Sequence, residues 1–115
     1  MEWIVLLIII ALFIVWRMVP TKGVKTISTS KLKNMLNDKD KVFIDVRTPA
    51  EFKANHIRQF KNIPLGSNYS NLPKDKEIVV ICQSGMRSSQ ACRQLKKLGY
   101  ERVTNVRGGM SAWRN

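Results

Sequence analysis

The chain has 115 residues, with 20 Lys or Arg against 8 Asp or Glu, which gives a formal net charge of +12. This length suffices for one domain with its own core, and two cysteines are too few for a disulfide framework. The basic residues are scattered without a basic run or interleaved aromatic rings, so no binding of nucleic acid is expected.

The N-terminus is a separate apolar element. Residues 3–16 contain no charged side chain and have a tryptophan at each end. A signal peptide would need a basic n-region and small residues at a cleavage site, and neither is present. We therefore predict a transmembrane helix over residues 1–19, with membrane lipid as its partner and local bilayer thinning compensating for its shortness. Residues 20–23 are predicted to be a linker and residues 24–115 the domain.

The charges that follow the apolar stretch predict the orientation of this helix. The first five basic residues all lie after it: Arg17, Lys22, Lys25, Lys31 and Lys33. The positive-inside rule then places the domain in the cytoplasm and the N-terminus outside, in a single-pass protein of the cell membrane. A reactive thiol without a disulfide suits the reducing cytoplasm.

The first half of the domain alternates between predicted strands and predicted helices. Short apolar runs predict strands at three places: 24–27, 42–44 and 62–65. A helix running to about Leu36 follows a serine or threonine cap within residues 28–30. Residues 48–51 read Thr-Pro-Ala-Glu, a capping box with proline at the first helical position. This motif predicts a helix that ends near Asn55, a residue that tolerates a left-handed cap.

The second half contains the most apolar strand of the domain. Residues 78–81 read Ile-Val-Val-Ile without polar alternation, which predicts a central strand buried on both faces. A helix with Ala91, Leu95 and Leu98 on one face follows, and then a strand over 103–106 and a short terminal helix. Strands that alternate with helices predict a parallel α/β sheet, in which ligands bind at the carboxyl ends of the strands.

The central strand ends at Cys82, and the residues after it predict an anion-binding loop. A turn containing Gly85 leads to Arg87 and the start of a helix, so backbone N–H groups, the helix dipole and a cation would surround the sulfur. All three favour the thiolate, which predicts that Cys82 is a nucleophile rather than a small buried apolar residue. The predicted loop comprises Gln83, Ser84, Gly85, Met86, Arg87 and Ser88.

The residues at the start of the following helix have alternative roles. Arg87 is expected to point into the loop at the substrate anion, and the alternative is an ordinary charge in solvent. Ser88 or Ser89 is expected to cap the helix rather than to react.

Four further polar or thiol side chains are predicted to be mainly structural. Asp45 is expected to hydrogen-bond to the loop amides, and Arg47 is expected to reach Glu51 four residues later. His56 is the only histidine. A Cys–His dyad is the alternative for it, but a thiolate stabilised by its loop needs no base. Cys92 is expected to pack in the core rather than to act as a resolving thiol.

Taken in order, these motifs resemble those of the single-domain rhodaneses, a family of sulfurtransferases. The resemblance is carried by 45–47 with Pro49, Glu51 and Phe52, by His56-Ile57, 62–65, the loop from Cys82, 98–100 and 106–113. It covers residues 24–115 and implies the rhodanese fold, a parallel α/β sheet flanked by helices. It also implies that Cys82 takes a sulfane sulfur as a persulfide from a small anionic donor, thiosulfate or another persulfide, and passes it to a thiol or protein acceptor. No cofactor and no metal are expected, since no metal-ligand spacing is present.

Two features distinguish the chain from its relatives. Four residues lie between Cys82 and Arg87, one fewer than in related phosphatases and arsenate reductases, which favours a sulfur atom over a phosphoryl group. After His56, the family's usual Pro-Gly turn is missing, and Arg58 and Phe60 are expected to alter which partner docks there. The alternative functions are a docking module with little turnover and a small phosphatase or reductase.

Overall fold

The computed structural model describes residues 2–18 and 23–114. Within these residues the strands are β1 (Val24–Ile27), β2 (Lys41–Asp45), β3 (Lys61–Asn62), β4 (Glu77–Ile81) and β5 (Val103–Val106). The helices are α1 (Glu2–Met18), α2 (Thr29–Met35), α3 (Pro49–Ala54), α4 (Met86–Lys97) and α5 (Gly109–Ala112). The strands pair in the order β1-β5-β4-β2-β3, and every pair is parallel, which confirms the predicted sheet.

Strand β4 lies at the centre of the sheet, between β2 and β5. Its side chains alternate between two cores, because successive residues of a strand point to opposite faces. Ile78 and Val80 lie in one core with Leu95 of α4. Val79 and Ile81 lie in the second core on the opposite face. Burial on both faces explains why the sequence of this strand shows no polar alternation.

Helix α3 begins where its sequence predicts. Thr48 Oγ1 accepts from Glu51 N at 3.3 Å and Glu51 Oε1 accepts from Thr48 N at 3.2 Å, which completes the capping box. The helix ends at Ala54, and Asn55 caps it in an extended conformation with φ −168°. The left-handed cap expected at Asn55 is therefore wrong, although the predicted end of the helix is confirmed.

The strand predicted over residues 62–65 is present but shorter. β3 pairs with β2 at the edge of the sheet and begins one residue earlier than the predicted range 62–65. Pro64 has no N–H with which to extend a regular ladder. The chain nevertheless continues beside β2, because Leu65 N donates to Val46 O at 3.0 Å.

The apolar N-terminal stretch forms α1. Its 17 residues give a rise of about 26 Å, against a hydrocarbon core of about 30 Å. Throughout residues 2–18 and 23–114, no helix is both long and apolar enough to cross a membrane. The transmembrane helix predicted over residues 1–19 is therefore not supported, and neither is its membrane lipid partner. Residues 1 and 19–22, which include most of the predicted linker 20–23, lie outside the described residues.

Candidate active site

Cys82 directly follows β4 at the carboxyl end of the sheet. It continues the alternation of the strand, so its side chain belongs to the core that contains Ile78, Val80 and Leu95. The residue is 0% exposed and its thiol is free. The predicted nucleophile is thus a fully buried sulfur at the base of a loop.

The loop after Cys82 turns its backbone toward the sulfur. Gly85 is the N-cap of α4 and has φ 105°, a left-handed conformation that glycine adopts without steric cost. Its N–H donates to Cys82 Sγ at 3.0 Å. The cap makes no side-chain hydrogen bond, so the capping role expected for Ser88 or Ser89 is wrong. Helix α4 therefore begins next to the sulfur.

Hydrogen bonds determine the ionisation of this thiol. Burial by itself raises the pKa of Cys82. Against burial act the Ser88 hydroxyl, 3.2 Å from Sγ, and the backbone N–H groups of Ser88, Gly85 and Ser84. Together these donors hold the pKa of Cys82 below its ordinary value of 9.0. A lowered pKa increases the fraction of thiolate, which is the nucleophilic form, at neutral pH.

The short helix α5 holds the carbonyl groups of the loop. Met110 N donates to Cys82 O at 2.8 Å, and Ser111 N donates to Gln83 O at 2.9 Å. Because α5 binds these carbonyls, the N–H groups of the loop can face the sulfur. Gly109 makes the contact possible, since a Cβ atom there would lie 2.1 Å from Cys82 O. In the sequence, Gly109 stands out only as one of a glycine pair, which does not reveal this contact.

Asp45 and Arg47 form a buried ion pair at the end of β2. Asp45 Oδ2 lies 2.9 Å from Arg47 Nη2, and Asp45 Oδ1 accepts from the Arg47 backbone N–H at 3.0 Å. Asp45 therefore binds Arg47 rather than the loop amides, contrary to expectation. Arg47 also donates to Gln83 Oε1 at 3.3 Å and to Asn55 O at 2.6 Å. The pair thus joins the loop to the end of α3.

Arg87 connects α4 with α3. Its Nη1 and Nη2 donate to the two carboxylate oxygens of Glu51 at 2.7 and 2.9 Å, which is a bidentate ion pair. The Arg87 guanidinium, with the hydrogen bonds from Thr48, lowers the pKa of Glu51 to about 2. Glu51 therefore binds Arg87. The pairing of Glu51 with Arg47, which the sequence spacing suggested, is wrong. Arg87 takes neither expected orientation, because a carboxylate holds it beside the loop.

Asn105 on β5 is a site residue that the sequence motifs do not reveal. The residue is 8% exposed. Its Oδ1 accepts from Ser88 Oγ at 2.6 Å, and its Nδ2 donates to Ser89 Oγ at 2.9 Å. Ser88 is thereby held against Cys82 Sγ. The only signal in the sequence is an amide inside a short predicted strand that begins and ends with valine.

His56 and Cys92 have surroundings that differ from those of Cys82. His56 is exposed, its Nδ1 lies 2.7 Å from Phe52 O, and its ring stacks on the Phe52 ring at 3.8 Å. Cys92 is 0% exposed in α4 and packs in the core with Leu95, as expected. Burial and then the charge of Cys82 raise the pKa of Cys92 to about 12. Of the two thiols, Cys82 is thus the one that ionises readily.

The segment after His56 differs from expectation at one aromatic residue. Phe60 is 4% exposed and its ring packs 5.3 Å from the Phe43 ring, so its expected role in docking is wrong. Arg58 is exposed. Met86, at the start of α4, is 75% exposed.

Comparisons with known proteins agree with this geometry. The rhodanese-like domain family matches residues 28–115. A sulfurtransferase from Allochromatium vinosum is 40% identical over 94 residues, which cover 78% of this chain and 88% of that protein. The crystal structure of a rhodanese-like domain protein from Staphylococcus aureus has a TM-score of 0.70 and 35% identity, covering 79% of this chain and 92% of that one.

A larger protein contains a similar domain. The structure of a NAD-dependent persulfide reductase from A. fulgidus has a TM-score of 0.61 and 34% identity, covering 80% of this chain and 16% of that one. The match to the family extends from the cap of α2 to the C-terminus and includes the whole loop around Cys82. On this evidence, the chain belongs to the rhodanese-like domain family.

Proposed function

We propose that the chain is a sulfurtransferase that carries a sulfane sulfur as a persulfide on Cys82. The observation that supports this proposal is the set of hydrogen-bond donors directed at Sγ, which lowers the pKa of a fully buried thiol. Membership of the family and the relative named a sulfurtransferase support the same reaction class. Thiosulfate or a low-molecular-weight persulfide is the proposed donor, and a thiol of a small molecule or a protein is the proposed acceptor.

The proposed reaction has two displacement steps. The Cys82 thiolate attacks the outer sulfur of thiosulfate, the S–S bond of the donor breaks, and sulfite leaves with the electron pair. With a persulfide donor, a thiolate leaves instead. An acceptor thiolate then attacks the outer sulfur of the persulfide, and Cys82 leaves as a thiolate. The loop N–H groups stabilise negative charge at the sulfur in each state.

The loop geometry favours sulfur transfer over the alternative phosphatase chemistry. A phosphoryl group needs cationic groups free to bind its oxygens as charge moves in the transition state. Arg87 already binds both carboxylate oxygens of Glu51, at 2.7 and 2.9 Å. The loop is also short, with four residues between Cys82 and Arg87.

Mass spectrometry after treatment with thiosulfate tests the proposal. We expect the peptide that contains Cys82 to gain one sulfur atom, which cyanide then removes as thiocyanate. Cys82→Ser should abolish the gain, whereas Cys92→Ser, the matched change at the other buried thiol, should retain it. Sulfur transfer by the Cys82→Ser variant, or phosphatase turnover without sulfur uptake, would overturn the proposal.

We also propose that the domain faces the cytoplasm at a membrane surface. The apolar side chains of α1 support attachment, since those from Trp3 to Val15 are mostly more than half exposed. The basic residues that follow α1 would be attracted to the anionic cytoplasmic leaflet. Protease digestion of vesicles carrying the tagged full chain tests the orientation. Digestion of the domain from the extracytoplasmic side would overturn it.

A further inference from the structure

The amide of Asn105 lies between two hydroxyl groups at the start of α4. Asn105 comes from β5, whereas Ser88 and Ser89 belong to the first turn of the helix. Ser88 is 0% exposed and Asn105 is 8% exposed, so each polar atom in this contact needs a partner within the protein. Through Ser88, hydrogen bonds connect the sulfur of Cys82 to Asn105 and Ser89, which do not hydrogen-bond to the sulfur themselves.

With Cys82 as a thiol, the hydrogen bonds run in one direction. The thiol donates to Ser88 Oγ at 3.2 Å, and the Ser88 hydroxyl donates to Asn105 Oδ1 at 2.6 Å. Asn105 Nδ2 donates to Ser89 Oγ at 2.9 Å, and the Ser89 hydroxyl donates to Gly85 O at 2.7 Å. Each hydroxyl has a single hydrogen, so the proton on the sulfur sets the direction of the whole series.

Ionisation of the thiol removes the hydrogen that begins this series. A thiolate only accepts hydrogen bonds, so the Ser88 hydroxyl must turn its single hydrogen to the sulfur in order to stabilise it. Asn105 Oδ1 would then face the Ser88 oxygen at 2.6 Å with no hydrogen between them. Such a buried acceptor without a donor opposes the ionisation.

Reversal of the Asn105 amide removes this conflict. After a half-turn of the amide, Nδ2 donates to Ser88 Oγ, and Oδ1 accepts from the Ser89 hydroxyl. Gly85 O loses the hydroxyl and also Asn105 Nδ2, which lies 3.5 Å away, but it keeps the Ser89 backbone N–H at 3.2 Å. Every polar group in the series is then paired again, with all the hydrogen bonds directed toward the sulfur.

We propose that Asn105 is a positioning residue whose amide reverses when Cys82 ionises, so that Ser88 can donate to the thiolate. The proposal rests on the nucleophilic role proposed for Cys82. Resting thiol and attacking thiolate would thus differ in the orientation of one amide on a neighbouring strand.

Other charged or titratable groups also surround the sulfur. Arg87 and Cys92 lie on α4, Glu51 on α3 binds Arg87, and Asp45 with Arg47 forms the ion pair at the end of β2. α5 contributes backbone N–H groups to the carbonyl side of the loop. The charges on these groups act on Cys82 in either orientation of the amide. The test must therefore follow the amide itself.

Nuclear magnetic resonance of the full chain in detergent micelles follows the amide directly. We expect the side-chain NH2 signals of Asn105 to titrate with the same midpoint as the alkylation rate of Cys82. Nuclear Overhauser contacts from this NH2 group should move from the β-protons of Ser89 below the midpoint to those of Ser88 above it. In the Cys82→Ser variant, the contacts should stay with Ser89 at every pH. Contacts of the wild-type chain that stay with Ser89 on both sides of the midpoint would overturn the proposal.

A change at Ser89 tests the same series without touching the sulfur. Ser89→Ala removes the donor to the reversed amide, while the original orientation keeps Gly85 O, 3.5 Å from Asn105 Nδ2. We expect the kinetic pKa of Cys82 alkylation to rise by about half a unit to one unit, a three- to tenfold loss of rate below the midpoint. In a Ser88→Ala background, where the series is broken, Ser89→Ala should cause no further shift.

The control is Ser70→Ala, since the Ser70 hydroxyl also donates to an asparagine oxygen, that of Asn68, but in an exposed loop. An unchanged kinetic pKa in Ser89→Ala, or an equal shift in the Ser88→Ala background, would contradict the proposal. Failure of the proposed function is a separate outcome. In that case the wild-type chain gains no sulfur from thiosulfate, whatever Asn105 does.

Discussion

The same chemical group, a thiol, occurs in two regions of one core: at Cys82, before helix α4, and at Cys92, inside that helix. Cys82 and Cys92 are ten residues apart in sequence, and both are 0% exposed in the same cluster of buried side chains. The pKa of Cys82 is lowered below 9.0, whereas the pKa of Cys92 is raised to about 12. Burial acts to raise the pKa of both thiols, so burial does not explain the difference between them.

The backbone around each thiol explains the difference. Cys92 lies inside α4, where the backbone N–H groups are already bonded to carbonyls four residues earlier. Cys82 lies before the first turn of the same helix, where N–H groups have no partner within the helix. These groups donate to its sulfur, and the Ser88 hydroxyl lies 3.2 Å from it. The pKa of a buried thiol is thus lowered at the start of the helix and raised in its interior.

The largest expected effect is a difference in alkylation rate between the two thiols. With a pKa of about 12, Cys92 has a thiolate fraction of about one in 100,000 at pH 7. We expect Cys82 in a Cys92→Ala variant to react with iodoacetamide at least about 1,000-fold faster than Cys92 in a Cys82→Ser variant. Peptide mass spectrometry of the native variants at pH 7 measures both rates.

Denaturant provides the control for this comparison. In the unfolded chain both thiols lose their surroundings, so the two rates should become similar. The rate at Cys82 in the native chain should rise with pH, with a midpoint below 9.0. Similar rates in the native state would show that the loop does not distinguish the thiols.

A change at Gly109 should remove much of the difference. Gly109→Ala would put a Cβ atom 2.1 Å from Cys82 O, at a backbone with φ +53°, and so displace α5 from the loop. We expect a loss of about 3 kcal/mol or more in the free energy of unfolding. Without α5, the carbonyls of Cys82 and Gln83 lose their hydrogen bonds, and the loop N–H groups should no longer be held toward the sulfur. The kinetic pKa of Cys82 should therefore rise. Urea unfolding and alkylation at several pH values measure the two effects.

Gly66→Ala is the matched control for Gly109→Ala. Gly66 also has a positive φ of +92°, but a Cβ atom there meets nothing within 4 Å. Backbone strain alone should cost about 1 kcal/mol and leave the kinetic pKa of Cys82 unchanged. Equal effects of the two changes would mean that the contact between Gly109 and Cys82 does not support the loop.

The smallest expected effect concerns the Glu51–Arg87 pair, which lies beside the loop and does not touch either thiol. The folded-state pKa of Glu51 is lowered from 4.5 to about 2, so its contribution to stability is present above pH 4.5 and is lost as the pH falls toward 2. Glu51 and Arg87 are each about one-third exposed. Glu51→Gln should therefore destabilise the domain by only about 1 kcal/mol at pH 7.

Urea unfolding between pH 7 and pH 2.5 measures this pH dependence. The difference between wild type and Glu51→Gln should shrink steadily as the pH falls below 4.5. Arg87→Gln, which leaves the capping box intact, should show a smaller loss with the same trend. A difference that stays constant across this pH range would contradict the assignment of the low pKa to the folded-state contacts of Glu51.

Local contacts made parts of the fold predictable. The capping box between Thr48 and Glu51 spans three residues, so its four-residue motif contains all the information it needs. The strand over 78–81 is predictable because burial on both faces selects apolar side chains without alternation. The partner of Arg47 was not predictable in this way, since helical spacing suggests Glu51 while the carboxylate that binds it is Asp45.

By itself, the sequence determined the order of the strands and helices along the chain, the start of α3 and the position of Cys82 after the central strand. These features depend on residues close to one another along the chain. Only the tertiary structure decided which groups reach the sulfur, which carboxylate holds Arg87, and where Asn105 and Gly109 lie. The physical reason is that the loop is assembled from β4, β5, α4 and α5, whose side chains and amides meet only after the sheet has formed.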